Sequence, residues 1–172
     1  MKKTFLLLLV LIAFSSCEKD DICDANTVTT PRLIIDFYDN LTFGTIPTTK
    51  AVTNLGIIAQ GLQTGILYNA VTKIQVPLKV TDDVTAYTFT LNAGATVAPL
   101  PQSDQLQFNC TRKNVFISRA CGYKTTFTLN SVSLNGTIVT ATNTITSTWI
   151  QKIQVIQTNI NNENETHIKI YF

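Results

Sequence analysis

Histidine and methionine are almost missing from this chain, which has one of each, His167 and Met1, among 172 residues. A catalytic triad or a tetrahedral zinc site needs histidine with partners of the right type, and a lone histidine does not supply one. Charge is also thin: 14% of residues are charged, and no dense basic face of the kind nucleic acid requires can be drawn. Long apolar runs are missing too. The longest, residues 5–14, falls well short of the about 20 residues that a membrane-spanning helix needs. No 3.6-residue apolar period runs long enough for a helix, and no segment repeats. What remains is rich in Thr, Asn, Ile and Val, with apolar and polar residues alternating between turn signals, which is the pattern of an all-β chain.

The N-terminus carries the most specific signal. Met1-Lys2-Lys3-Thr4 is a short basic start, Phe5 to Phe14 is apolar, and Ser15-Ser16-Cys17 puts small residues at a cleavage point. That is a secretory signal peptide over residues 1–16. An export signal ending at cysteine resembles the lipobox of bacterial lipoproteins, which implies that Cys17 is acylated and becomes the mature N-terminus. Lys2 and Lys3 leave with the signal, so 11 acidic side chains then face an equal number of basic ones. Residues 17–31 read as a lipidated N-terminus and polar tether, and Glu18, Asp20, Asp21 and Asp24 make it acidic. Residues 32–172 read as one domain, long enough for a real core.

Within that domain, Leu33, Ile35 and Phe37 alternate on one face, and residues 55–59 form a second short apolar run. Residues 73–80 alternate with Ile74, Val76, Leu78 and Val80 inward, and Pro77 marks an edge strand or a bulge. Tyr87, Phe89 and Leu91 share a side; residues 93–103, with Gly94, Pro99 and Pro101, read as a loop. Asn135-Gly136 is the strongest hairpin signal. Residues 145–158 hold the only Trp, Trp149, and residues 166–172 form a last strand. Eight or nine strands result, and the expected fold is an antiparallel β-sandwich of immunoglobulin-like architecture. The terminal Tyr171-Phe172 resembles the end of outer-membrane barrels. Strands of mostly five to eight residues are too short for that, because spanning strands need about 9–11.

With Cys17 committed to lipid, Cys23, Cys110 and Cys121 remain, and an exported compartment permits one disulfide. If Thr111-Arg112-Lys113-Asn114 is the turn of a hairpin, Cys110 lies near that turn and opposite residue 115 or 116, far from Cys121. Cys110 then reads as a buried small hydrophobe. Cys23–Cys121 is the bridge to expect, with three reduced thiols as the alternative.

The chemical candidates are few. His167 sits beside Ile168 in the last strand and reads as a solvent-facing side chain. Asp82-Asp83 and the tether's aspartates lack further oxygen ligands at calcium-loop spacing, so no metal and no cofactor is expected. Asp36 and Asp39 could form a carboxylate pair for a hydrolase, but residues three apart on a strand point to opposite faces. Arg112, Lys113, Arg119 and Lys124 fall within 13 residues and could meet an anionic glycan or lipid headgroup; a solvated hairpin face accounts for them equally well.

Three segments carry a family resemblance: Cys17-Glu18-Lys19-Asp20-Asp21-Ile22-Cys23, Thr30 to Asp39, and Thr111-Arg112-Lys113 through Ser118-Arg119-Ala120-Cys121-Gly122-Tyr123-Lys124. Together they resemble an uncharacterised family of Bacteroidota lipoproteins, a domain of unknown function. The resemblance implies no activity, and it implies Cys23 and Cys121 as the shared cysteine pair. Lys19-Asp20-Asp21 after Cys17-Glu18 is similar to the acidic signal that sends some lipoproteins of that phylum to the cell surface. The expectation is an outer-membrane lipoprotein, facing the periplasm or the surface with the surface favoured. It would bind or scaffold an envelope protein or glycan, and would not bind nucleic acid. An envelope hydrolase with an unrecognised carboxylate site is the alternative.

Overall fold

The computed structural model describes residues 22–140 and 146–172 and folds them into two sheets packed face to face. In chain order the strands are β1 (Leu33–Tyr38), β2 (Leu55–Ala59), β3 (Ile66–Tyr68), β4 (Lys73–Val76), β5 (Val84–Leu91) and β6 (Gln102–Ser118). Then come β7 (Gly122–Leu134), β8 (Thr137–Ile138), β9 (Lys152–Val155), β10 (Asn159–Ile160) and β11 (Ile168–Tyr171). The smaller sheet has the order β4-β1-β11-β9, and the larger β10-β7-β6-β5-β2-β3, with β8 also on β7. The expected all-β sandwich is the fold, with eleven strands among the described residues rather than eight or nine. The additional β3, β8 and β10 are two or three residues long, too short to leave a period-2 signal.

The smaller sheet is not purely antiparallel. β1 runs parallel to β11, Ile35 opposite Ile168 and Tyr38 opposite Tyr171, and antiparallel to β4. A strand buried on both faces carries a near-continuous apolar run, which is why Ile34 is as buried as Leu33, Ile35 and Phe37. The core lies between these residues and Phe89, Leu106, Phe108, Phe127 and Leu129 of the larger sheet. Each fully buried Phe, Leu or Ile contributes about 1.5–3 kcal/mol relative to exposure. A one-residue slip of β6 would bring Gln107 and Asn109 inward instead of Leu106 and Phe108, so this burial fixes the register. Trp149 closes one end of the core against Phe37 and Phe172, and its Nε1–H donates to Phe89 O at 3.1 Å.

The longest element corrects the sequence reading. Thr111 to Asn114 is not a turn: β6 runs unbroken over 17 residues, and Thr111 pairs with Thr128 and Asn114 with Thr125. The reversal lies at residues 119–121, where Cys121 N–H donates to Ser118 Oγ at 3.0 Å and Gly122 takes φ +68°. Pairing with β5 ends at Asn109, next to a register shift at Asn109/Cys110. Beyond Arg112, past the β10 pairing with β7, β6 and β7 continue as a two-stranded ribbon about 20 Å long. The polar Thr-Arg-Lys-Asn segment reflects the loss of β5 from that edge of β6, not a change of direction. Strands this long also exceed the expected five to eight residues, yet the sheets stay open and form no barrel. β4 stops at Val76, just before Pro77, on the edge of its sheet, and Val80 beyond it is exposed rather than inward.

Candidate functional site

A two-stranded ribbon is marginal in water by itself. Here the chain preceding β1 is fastened along it. Cys23 and Cys121 form a disulfide across 98 residues, with their Cα atoms 4.9 Å apart. Thr30 Oγ1 accepts the Thr125 N–H at 3.0 Å, satisfying a donor of β7 that no strand covers. Arg32 ends the segment on Glu163: Nε and an Nη donate to its two carboxylate oxygens at 2.8 and 2.7 Å, and the Arg32 N–H donates at 2.9 Å. The side-chain hydrogen bond from Arg32 holds the Glu163 carboxyl below the usual glutamate range. Two open grooves flank this segment. One, of about 480 Å³, lies between residues 27–32 and Asn162–Asn164; the other, about 330 Å³, lies against Ile117, Cys121, Tyr123 and Lys124.

The disulfide expected from sequence is therefore present, although the hairpin argument behind it was wrong. Cys110 is not near a turn; it sits mid-strand opposite Leu129, buried and free. Burial pushes its thiol pKa up to about 11, with a contribution from Asp83.

The four cations do not converge on one surface. Residues paired across an antiparallel ladder share a face. Arg112 lies with Phe127, while Lys113 lies with Thr126 and Lys124 with Val115 on the other side. Arg112 is engaged: Nε donates to Asp83 Oδ1 at 2.6 Å and Nη1 to Val80 O at 2.7 Å. Arg119 is exposed in the ribbon's turn. Cys17, Lys19, Asp20 and Asp21 lie outside the described residues.

His167 does not face solvent, as its strand position suggested, but is 1% exposed. Its Nδ1 accepts the Ile34 N–H at 3.0 Å, and its own N–H donates to Ile34 O at 3.1 Å. The side chain thus extends the β1–β11 ladder by one rung. Burial lowers its pKa, against an upward pull from Glu165 and Glu163. The other carboxylates are occupied too. Asp36 Oδ2 accepts from Thr166 Oγ1 at 2.6 Å, and its Oδ1 lies 3.4 Å from Lys73 Nζ. Asp39 caps the 3-10 turn Asn40–Thr42 by accepting the Leu41 N–H.

Sequence reasoning overlooked Asp104, which is fully buried. Its Oδ1 accepts from Asn135 Nδ2 and Thr148 N at 2.8 Å each, and its Oδ2 from Trp149 N at 3.0 Å and Ile150 N at 2.9 Å. Burial works to raise its pKa, but the hydrogen bonds from Ile150, Asn135, Trp149 and Thr148 outweigh it and hold the carboxyl below the ordinary aspartate value. The available signal was phase: Asp104 alternates inward with Leu106 and Phe108.

One further cavity, of about 320 Å³, opens on the flank where the edge strands β3 and β4 leave the sandwich uncovered. Ile57, Ile66, Tyr68, Val76, Pro77 and Tyr87 line it, and Tyr87 OH donates to Pro77 O at 2.5 Å. It can take an apolar group, and no acid–base pair faces it.

A family model described as "Family of unknown function (DUF6452)" matches residues 54–172. The chain belongs to this family. No curated protein and no solved structure matches the chain. The DUF6452 match takes in Cys121 and the whole larger sheet but stops short of β1 and Cys23. Because β1 is a central strand of the smaller sheet, the folding unit extends further toward the N-terminus than the matched region.

Proposed function

We propose that this DUF6452 chain is a lipid-anchored envelope protein, acylated at Cys17, whose sandwich is a non-catalytic binding or scaffolding module. In this reading residues 1–16 are the cleaved signal, residues 17–31 the tether and residues 32–172 the domain. The carrying observation is the Cys23–Cys121 bridge, six residues after Cys17. Disulfides persist in oxidising, exported compartments, which is where the leader Met1 to Ser16 would send the chain. The Bacteroidota-like start and Lys19-Asp20-Asp21 favour the outer membrane and outward display.

Binding is favoured over hydrolysis because the groups a hydrolase would use have other work. Asp36, Asp39, Asp104 and His167 are each engaged in contacts that hold strands or loops. The flank cavity offers a partner protein or glycan an apolar contact between two strand edges. Expression of Cys17→Ala tests the anchor. The variant should remain unlipidated and leave the membrane fraction, because acyl chains contribute about 0.8 kcal/mol per buried CH₂ and stable attachment takes more than one chain. Full retention in membranes would sink the reading. A pull-down from intact envelopes then identifies the partner.

A further inference from the structure

The ribbon ends in an exposed aromatic pair. Phe116 and Tyr123 are ladder partners, 56% and 70% exposed, with ring centroids 5.3 Å apart in an edge-to-face arrangement. Arg119 lies in the turn between them, Lys124 follows Tyr123, and Ile22, beside the bridge, is 83% exposed. Large apolar side chains at the end of a projecting ribbon cost solubility unless something covers them.

The covalent route says what does. From Cys17 to Cys23 the chain can span at most about 20 Å, and the bridge passes that restraint directly to Cys121 at the ribbon's turn. Without the bridge, the first firm attachment to the domain would be Thr30 or Arg32, and the same reach would be roughly 45–50 Å. The other end of β6, at Gln102, lies about 50 Å away along the strand. An acylated Cys17 therefore holds the ribbon's turn, and no other end of the domain, against the bilayer. Aromatic rings with a polar tip settle at the membrane interface, and nearby Arg and Lys are attracted to anionic headgroups. Of the tether's four acids, Asp24 turns its carboxylate to the Asn26 N–H at 2.8 Å.

We propose that the ribbon tip formed by Phe116, Arg119, Tyr123 and Lys124 is a membrane-seating element, inserting its aromatic pair into the headgroup layer of a bilayer with anionic phosphate headgroups. The proposal rests on the lipid anchor at Cys17. Seating fixes the pose of the domain: the core end closed by Trp149 points away from the membrane.

The test uses the mature lipidated protein, residues 17–172, reconstituted in phosphatidylethanolamine–phosphatidylglycerol vesicles, with and without brominated acyl chains. Trp149 is the only tryptophan and is buried at the far end, so wild-type emission should be unaffected by bromine. Tyr123→Trp should add an emission that shifts to the blue on reconstitution and is largely lost in brominated vesicles; Phe116→Trp gives a second probe should the first disturb the ribbon. Flotation of the same samples reports the anchor. Protein that floats while both probes stay unquenched overturns the seating and leaves the anchor intact. Protein that does not float overturns both.

Discussion

His167 Nδ1 receives the main-chain N–H of Ile34, and His167 N–H returns a bond to Ile34 O, so one residue closes both sides of a rung between the first strand and the last. A ring nitrogen that accepts must be unprotonated, which puts the proton of the neutral ring on Nε2. The buried ring has a pKa below its ordinary 6.5. The unfolded chain therefore binds the proton more tightly. Stability attributable to His167 is complete above pH 6.5 and is lost as pH falls from there through the folded value. Urea titrations at pH 7.5 and 5 should show a lower midpoint at pH 5, and His167→Ala should flatten that difference. The substitution should cost about 1–3 kcal/mol at neutral pH by leaving the Ile34 N–H unsatisfied; an unchanged midpoint would show that the ladder does not need the ring.

Asp104 acts in a different window. Its folded pKa is depressed below 3.8, so its contribution is present above that value and disappears as pH falls through the folded one. Acid unfolding should come in two stages, with loss beginning below pH 6.5 from His167 and a steeper one below pH 4 from Asp104. Asp104→Ala should be the more severe substitution, about 3–5 kcal/mol, because it strips partners from the buried main-chain N–H groups of Trp149 and Ile150 and from the half-buried one of Thr148. Thermal melts monitored by Trp149 fluorescence measure it directly. A loss under 1 kcal/mol would mean that the 146–150 segment is held by other contacts.

Removing the bridge should loosen one end of the molecule selectively. A closed loop of 98 residues corresponds to about 4–5 kcal/mol in the chain-entropy view, and often less in practice. Cys23→Ser with Cys121→Ser should lower the melting temperature and speed amide exchange at Thr125, while Phe108 and Leu106 at the sheet centre keep their order of protection. Mass spectrometry of unreduced peptides gives the pairing itself. A Cys110–Cys121 peptide would contradict it.

Cys110 should be silent. Its thiol pKa of about 11 and its burial leave almost no reactive thiolate at pH 8. A thiol reagent should label no residue in the native domain and one per chain after denaturation without reductant. Rapid native labelling would show that the base of the ribbon opens.

Local alternation made much of this fold legible. Leu33-Ile35-Phe37 and Tyr87-Phe89-Leu91 fall inward as their spacing requires, and Asn135-Gly136, at φ +50° and +82°, turns β7 into β8. Long-range adjacency was not legible. Nothing near Ile34 in sequence announces that His167, 133 positions on, will complete its hydrogen bonds, so a buried histidine passed for an exposed one. Thr111 to Asn114 is ambiguous for a physical reason: polar residues with turn propensity also suit a strand whose outer edge has lost its partner. Cysteine pairing came out right from a faulty hairpin because Cys110 and Cys121 are far apart in either register.

The parallel pairing of β1 with β11 also sets an order of assembly. β1 emerges first from any synthesis or export channel, yet one of its two edges waits for residues 168–171. Until they arrive, a strand bearing Leu33, Ile34, Ile35 and Phe37 offers open main-chain groups to any neighbouring chain. Contacts this distant in sequence form slowly, so the nascent chain passes through a sticky interval that ends only when its last strand docks. Clipping the chain after His167 should therefore yield aggregation rather than a smaller sandwich.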